Sequence, residues 1–169
     1  MKSKFLKWLV LSALIVAADQ LAKYAAVQGL AAGRLVEVTP FFNLVLVYNA
    51  GAAFSFLSQA AGWQRGLFIA IALIASVWIV YLQHRYPHQR LFALALSLVL
   101  AGAIGNVIDR ILIGAVIDFL DFHALGHHWP AFNVADSAIT CGAALLIWDA
   151  LRPRKSETLE PQINADKRR

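Results

Sequence analysis

Residues 91–108 read LFALALSLVLAGAIGNVI, a stretch without a single charged side chain. A helix needs about 20 apolar residues to cross a hydrocarbon core about 30 Å thick, so a stretch of this length predicts a membrane span. Three other stretches are long and apolar enough to do the same: residues 8–27, 66–82 and 132–151. The sequence therefore predicts four transmembrane helices.

The composition excludes an ordinary water-soluble protein. Hydrophobic residues make up 60% of the 169 residues and charged residues only 15%, whereas soluble domains are roughly half apolar and a quarter charged. We therefore expect an integral membrane all-α bundle, with residues 1–151 as a single membrane-embedded domain. Residues 152–169 are polar and basic, which predicts a disordered tail.

The formal net charge of +5 is distributed as in a membrane protein rather than as in a nucleic-acid-binding protein. Cytoplasmic loops of membrane proteins carry an excess of Lys and Arg. Eleven of the 15 basic residues occur before the first span, around the link at 84–90 and after the last span. This distribution predicts that both termini and the link are cytoplasmic, and that residues 28–65 and 110–131 are extracytoplasmic. It also predicts no nucleic-acid partner.

The first extracytoplasmic segment contains two stretches typical of β-strands. RLVEVT at 34–39 and NLVLVY at 43–48 are rich in β-branched residues. Pro40 lies between them, and the turn-forming sequence Asn49-Ala50-Gly51 follows the second. The pattern predicts a small extracytoplasmic β-cradle at the membrane surface.

The first span has a second interpretation, as a cleaved signal peptide. It has a basic start, an apolar middle and small residues at Val16-Ala-Ala18, which are features of such segments. The charged residues Asp19 and Lys23 follow within the same span. They favour a helix that is retained and has a function.

Several charged and amide side chains lie within the predicted spans, where they are costly and therefore mark a candidate functional site. Counted at about 1.5 Å per helical residue from the basic residues at the cytoplasmic ends, they lie roughly 18 to 28 Å into the membrane. They are Asp19, Lys23, Asn106, Asp109, Asn133 and Asp136. Three helices therefore bring polar groups to one layer, in the outer third of the membrane.

Salt bridges that only hold the helices together are an alternative explanation for some of these groups. It applies to Asp19 with Lys23 and to Asp109 with Arg110, which are close on one helix. It applies less well to Asp136, and to Asp118 in the second extracytoplasmic segment. Neither of these acids has a cation within four residues.

Three kinds of chemistry are compatible with these residues. His123, His127 and His128 lie near Asp118 in the sequence and allow a metal site, although a solvated loop is the simpler interpretation. Ser55 or Ser137 with Lys23 would provide a nucleophile and its base, but no spacing favours either pair. A pair of buried acids that shares one proton can activate water and protonate a scissile amide, and the two isolated aspartates fit this chemistry best.

Five motifs in fixed order carry a resemblance to a known family. They are ADQLAK at 18–23, NAGAAFS at 49–55, GAIGNVIDR at 102–110, GAVIDF at 114–119 and FNVADS at 132–137. Each motif alone is weak, but the set of five resembles bacterial lipoprotein signal peptidase, also called signal peptidase II. The resemblance extends from Asp19 to Ser137.

The resemblance implies a four-helix aspartyl endopeptidase of the bacterial inner membrane. We expect a monomer with no metal and no cofactor. Its partners are membrane lipid and diacylglyceryl-modified prolipoproteins, which it cuts before the lipidated cysteine. The implied catalytic dyad is Asp118 and Asp136. The implied substrate-binding residues are Asn49, Gly51, Asn106, Asp109, Arg110 and Asn133, with Asp19 and Lys23 in support.

Two functions of other classes remain as alternatives. A small proton-coupled transporter also uses acids within the membrane, but it needs polar groups that reach both membrane faces, and residues 9–18 and 91–101 are almost wholly apolar. A non-catalytic chaperone would use the polar cluster only to bind a lipid or a helix. Hydrolysis of a lipidated peptide separates a peptidase from both.

Overall fold

The chain is described here from a computed structural model, which covers residues 2–30, 35–51 and 62–152. The predicted tail after Arg152 lies outside the described residues, as do Arg34 and Ser55.

Four helices in this part of the chain are long and apolar enough to cross a membrane. They are α1 (Lys2–Gly29), α2 (Trp63–Arg85), α3 (Arg90–Leu112) and α4 (Val134–Leu151). The predicted four-span fold is confirmed. Three of the four helices extend beyond the predicted spans at both ends. The helix α3 continues past residue 108 because Asp109 and Arg110 find polar partners within the protein.

The helix α4 begins later than predicted, at Val134 rather than at residue 132. Asn133 has an extended backbone and caps the helix, because its side chain accepts a hydrogen bond from the Asp136 amide. Such a cap satisfies one of the backbone N–H groups that a helix leaves free at its start. The prediction that Asn133 lies inside the helix was therefore wrong. Asn133 is the N-cap residue of α4.

The helix α3 lies at the centre of the bundle and packs closely against α4. Glycines on both helices permit the close approach, since a Cβ atom at Gly142 would lie 2.7 Å from Val99 Cγ2. At Gly105 an added Cβ would lie 2.6 Å from Asp19 Oδ2 on α1. The small residues therefore bring three helices, and the polar groups that they carry, within hydrogen-bonding distance of each other.

Substitution of Gly102 by Ala tests this packing. The added methyl group would overlap the Ala135 carbonyl oxygen and approach Ile139 Cγ1 to 2.5 Å. We expect a loss of about 1 to 3 kcal/mol in the free energy of unfolding, as for other overpacked sites. Gly66 on α2 has no neighbour within 4 Å of an added Cβ, so Gly66→Ala should not destabilise the protein. Unfolding in detergent measures both, and equal stability of the two variants would contradict the prediction.

A four-stranded antiparallel sheet lies at the end of the bundle where α3 ends and α4 begins. Its strands, in spatial order, are β1 (Val36–Thr39), β2 (Phe42–Asn49), β3 (Val116–Ala124) and β4 (His127–His128). The sequence predicted β1 and β2, but it treated the segment that contains β3 only as an extracytoplasmic link. The bridge between Leu120 and Phe132 ties β3 to the residues that enter α4.

Candidate active site

A buried ion cluster joins α1 to α3. Lys23 Nζ lies 2.8 Å from Asp19 Oδ2 and 2.7 Å from Asp109 Oδ2, and all three side chains are almost completely buried. The sequence suggested Arg110 as the partner of Asp109, but the ion pair is formed with Lys23 instead. A charge so far from water must be neutralised by its neighbours, and one lysine serves two carboxylates here.

The same cluster connects α1 to α4. Asp19 Oδ1 accepts a hydrogen bond of 2.8 Å from the Ala135 amide, in the first turn of α4. Gln20 Nε2 donates to Asp109 Oδ1 at 2.9 Å. Gln20 was not predicted as a site residue, although its position beside Asp19 in a predicted span was a signal. These contacts make α1 an integral part of the bundle and count against its removal as a signal peptide.

Asp118 and Asp136 come from different elements, β3 and the first turn of α4. Asn133 connects them: its Nδ2 donates to Asp118 Oδ1 at 2.8 Å, and its Oδ1 accepts from the Asp136 amide at 2.8 Å. The amide of Asn133 has one orientation only, because a backbone N–H is always a donor. Its NH₂ group must therefore face the Asp118 carboxyl group.

Asn106 is oriented by the same rule. The Lys23 ammonium group has donors but no acceptor, and it lies 3.1 Å from Asn106 Oδ1. The Asn106 NH₂ group therefore points the other way and donates to Asp136 Oδ1 at 2.8 Å. The buried ion cluster is thus linked to Asp136 through a single amide.

Asn49 completes the set of oriented amides. The Gly51 amide donates to Asn49 Oδ1 at 3.0 Å, so the Asn49 NH₂ group faces Asp118 Oδ2 at 3.1 Å. Arg110 holds this turn from the other side, because its Nη2 donates to the Gly51 carbonyl at 3.0 Å. Asp118 and Asp136 therefore each receive an N–H donor from a side-chain amide whose orientation is set by a second hydrogen bond.

The pKa of Asp118 is raised to about 7. Burial is the largest cause, since it disfavours the charged carboxylate, and the nearby negative charge of Asp136 adds to it. Hydrogen bonds from Asn49 and Asn133 oppose the shift without cancelling it. The Asp118 carboxyl group therefore retains its proton to a higher pH than an ordinary aspartate does, which suits the proton-holding member of a carboxyl pair.

The histidine-rich segment forms a separate cluster on the sheet. His128 Nδ1 lies 2.9 Å from Asp121 Oδ2, and the His123 ring stacks on His128 at 4.9 Å. Burial raises the pKa of Asp121, but hydrogen bonds from Asn43 and His128 outweigh it, so the pKa lies below its ordinary value. No group of three His, Cys, Asp or Glu side chains within residues 2–30, 35–51 and 62–152 converges as metal ligands would.

Of the two serine and lysine pairs that the sequence left open, the one with Ser137 is not formed. Ser137 Oγ donates to the Asn133 carbonyl at 2.9 Å, and Lys23 is engaged by three oxygen atoms. Ser55, the other candidate, lies outside the described residues.

Four membrane-spanning helices with a buried acid on a small sheet and a half-buried acid in the first turn of α4 define a polytopic membrane protein with a site of the aspartic-hydrolase type. The sequence model described as signal peptidase (SPase) II, Peptidase A8, matches residues 11–152. The chain belongs to the signal peptidase II family, and the resemblance predicted from its motifs is confirmed.

Relatives and solved structures agree with this assignment. The lipoprotein signal peptidase of Burkholderia thailandensis is 57% identical over 145 residues, which cover 86% of this chain and 87% of that protein. The lipoprotein signal peptidase of Paraburkholderia phymatum is 57% identical over 145 residues, with the same coverage of both chains. A bacterial membrane enzyme solved by the in meso method at 1.9 Å resolution has a TM-score of 0.74 and 33% identity, over 88% of this chain and 94% of that one.

Proposed function

We propose that this chain is an intramembrane aspartyl endopeptidase that removes signal peptides from diacylglyceryl-modified prolipoproteins, with Asp118 and Asp136 as the catalytic dyad. The cut lies immediately before the lipidated cysteine. One observation carries the proposal: two acids from different elements face oriented amide donors and are joined through Asn133. The names of the relatives indicate the lipoprotein substrate class.

The dyad acts with one proton and one water molecule. The ionised carboxylate takes a proton from water, whose oxygen attacks the carbonyl carbon of the scissile peptide bond. The protonated carboxyl group donates to the carbonyl oxygen and polarises it. Collapse of the tetrahedral intermediate breaks the C–N bond, and the departing nitrogen receives a proton from the dyad, so that one proton again remains on the pair.

The other polar residues bind the peptide or hold the dyad in place. We assign substrate binding to Asn49, Gly51, Asn106, Asp109, Arg110 and Asn133, and support to Asp19 and Lys23. Asp109 is 2% exposed and paired with Lys23. It therefore contributes to binding indirectly, by holding its neighbours in position. Arg110 is only partly buried, which leaves its guanidinium group accessible to a peptide carbonyl.

The placement of basic residues supports the membrane orientation. We assign both termini and the link between α2 and α3 to the cytoplasm, since the basic residues concentrate there. The sheet and the dyad then lie near the extracytoplasmic face of the bacterial inner membrane, at the depth where a signal-peptide helix ends. We assign a monomer, because all the proposed catalytic groups come from one chain.

Cleavage of a synthetic lipidated lipobox peptide tests the function. The purified protein in liposomes should release the signal segment with a new N-terminus at the lipidated cysteine, identified by mass spectrometry. The same peptide without the diacylglyceryl group serves as the control and should be cut much more slowly. Binding of the lipidated peptide without any hydrolysis would favour the chaperone alternative instead.

The rate of cleavage should decrease as the pH rises above about 7. The active dyad holds one proton, and Asp118, whose pKa is about 7, loses it above that pH. We expect kcat/KM to fall about tenfold per pH unit on the alkaline side, as for the loss of a single proton. A rate that is constant between pH 6 and 9, with intact protein, would contradict a proton-sharing dyad.

A further inference from the structure

Phe68, on the second turn of α2, contacts a charged group of the site. The Arg110 guanidinium carbon lies 5.1 Å from the centre of the Phe68 ring, within the range of a cation–π interaction. Phe68 is half-buried. No motif of the sequence pointed to it, because an aromatic residue in a membrane span is ordinarily explained by contact with lipid.

Two donors of the Arg110 guanidinium group are engaged within the protein. Nη2 donates to the Gly51 carbonyl at 3.0 Å and Nη1 to the Asn106 carbonyl at 3.4 Å. The guanidinium carbon lies over the Phe68 ring, and this contact uses none of the N–H donors. Contact with the ring therefore restricts movement of the guanidinium group away from these two carbonyl oxygens.

The Gly51 carbonyl is part of the turn that orients Asn49. The Gly51 amide donates to Asn49 Oδ1 at 3.0 Å, and the Asn49 NH₂ group donates to Asp118 Oδ2 at 3.1 Å. Movement of Gly51 would therefore weaken the donor that faces the acid. A connected series of contacts leads from α2 to the candidate dyad.

We propose that Phe68 is a positioning residue of the peptidase: its ring holds the Arg110 guanidinium group against the Gly51 carbonyl, and thereby keeps the Asn49 amide on Asp118. The inference rests on the proposed function, because its readout is peptide cleavage. Phe68 is assigned to position Arg110 and to take no part in the chemical step.

The test compares three variants in cleavage of the lipidated lipobox peptide. Phe68→Leu removes the aromatic face and should lower kcat about fivefold, as expected for a partly buried cation–π contact. Phe68→Tyr keeps the face and should restore kcat. Phe92 on α3 is another half-buried aromatic, whose ring packs against Tyr86 at 6.1 Å; Phe92→Leu serves as the control and should leave kcat unchanged.

The pH profile separates positioning from a general effect on the fold. A loosened Asn49 amide stabilises the Asp118 carboxylate less, so the alkaline limb of kcat/KM should move to higher pH in Phe68→Leu and return in Phe68→Tyr. A general loss of stability would lower the rate without moving the limb. If Phe68→Leu fails to fold, Phe68→Met replaces it, since Met is flexible, fills volume and lacks an aromatic face.

The inference is overturned if Phe68→Leu behaves like Phe92→Leu, if Phe68→Tyr fails to restore the rate, or if the alkaline limb does not move. Failure of the unmodified protein to cleave the peptide would instead count against the proposed function. The two failures are therefore distinguishable.

Discussion

Asp136→Asn should abolish cleavage of a lipidated precursor while leaving a folded, membrane-inserted protein. The substitution removes the negative charge and the proton-accepting oxygen, but it keeps a carbonyl that can accept the hydrogen bond from Asn106. We expect a loss of at least about 10³-fold in kcat, because positioned acid and base groups contribute about 10² to 10⁴ each. Asp118→Asn should have the same effect.

Stability measurements show whether the lost activity reflects chemistry or folding. The pKa of Asp118 is raised from 3.8 to about 7, so its folded form binds a proton more tightly than its unfolded form. Its carboxylate therefore costs stability increasingly as the pH rises from about 4 to about 7. Asp118→Asn removes this cost, and the variant should be at least as stable as the unmodified protein at pH 8.

Ser137→Ala provides a control next to the dyad. Its hydroxyl group donates to the Asn133 carbonyl rather than to either acid, so this variant should retain most of the activity. Full cleavage activity in either Asn variant would remove that residue from the dyad. If Ser137→Ala lost as much activity as the two Asn variants, any substitution near the site would abolish cleavage. The losses in the Asn variants would then not indicate a catalytic role for the two acids.

Lys23→Met should have the largest effect on stability. It leaves Asp19 and Asp109 buried without their common cation, and it removes the donor that orients Asn106. Removal of one partner from a buried ion pair costs about 3 to 5 kcal/mol, which is a large part of the 5 to 15 kcal/mol typical of a folded protein. We expect little folded protein in a membrane extract.

The control is Lys7→Met, at the exposed start of α1. It makes the same change in the same helix, and its unfolding temperature in detergent should be close to that of the unmodified protein. A second variant combines Lys23→Met with Asp109→Asn. It removes one of the two buried carboxylates that have lost their cation, and it should recover part of the lost free energy of unfolding. Unfolding of Lys23→Met at the temperature of Lys7→Met would show that the buried ion cluster does not stabilise the fold.

Much of the fold was predictable from the sequence because a membrane imposes a simple rule. A backbone within lipid must satisfy its own hydrogen bonds, so long apolar stretches become helices, and the four spans follow from their length alone. The first two strands were also predictable, because RLVEVT and NLVLVY are short, β-branched and bounded by turn residues. The third strand, Val116–Ala124, was missed, because its hydrogen-bonding partners lie about 75 residues earlier, in Phe42–Asn49.

The acids within the predicted spans were also selected from the sequence, on the ground that a charge in a membrane is rarely accidental. Asp118 was selected because no cation lies near it in the sequence and because its motif resembles that of the family. The distances between charges along one helix suggested how they pair, and for Asp109 that suggestion was wrong. Its cation is Lys23 of α1 rather than the neighbouring Arg110. Pairing depends on which helix faces meet, and this in turn depends on glycines such as Gly102 and Gly105 that allow close approach.

Composition and apolar length were thus enough to determine that this protein spans a membrane four times and carries acids in one layer, because transfer of each residue into lipid depends on that residue alone. Only the tertiary structure decided that Asn133 caps α4 and bridges the acids, and that Phe68 covers Arg110. These contacts join residues on different elements. Their geometry depends on how the whole bundle packs. This packing cannot be predicted from a local pattern of the sequence.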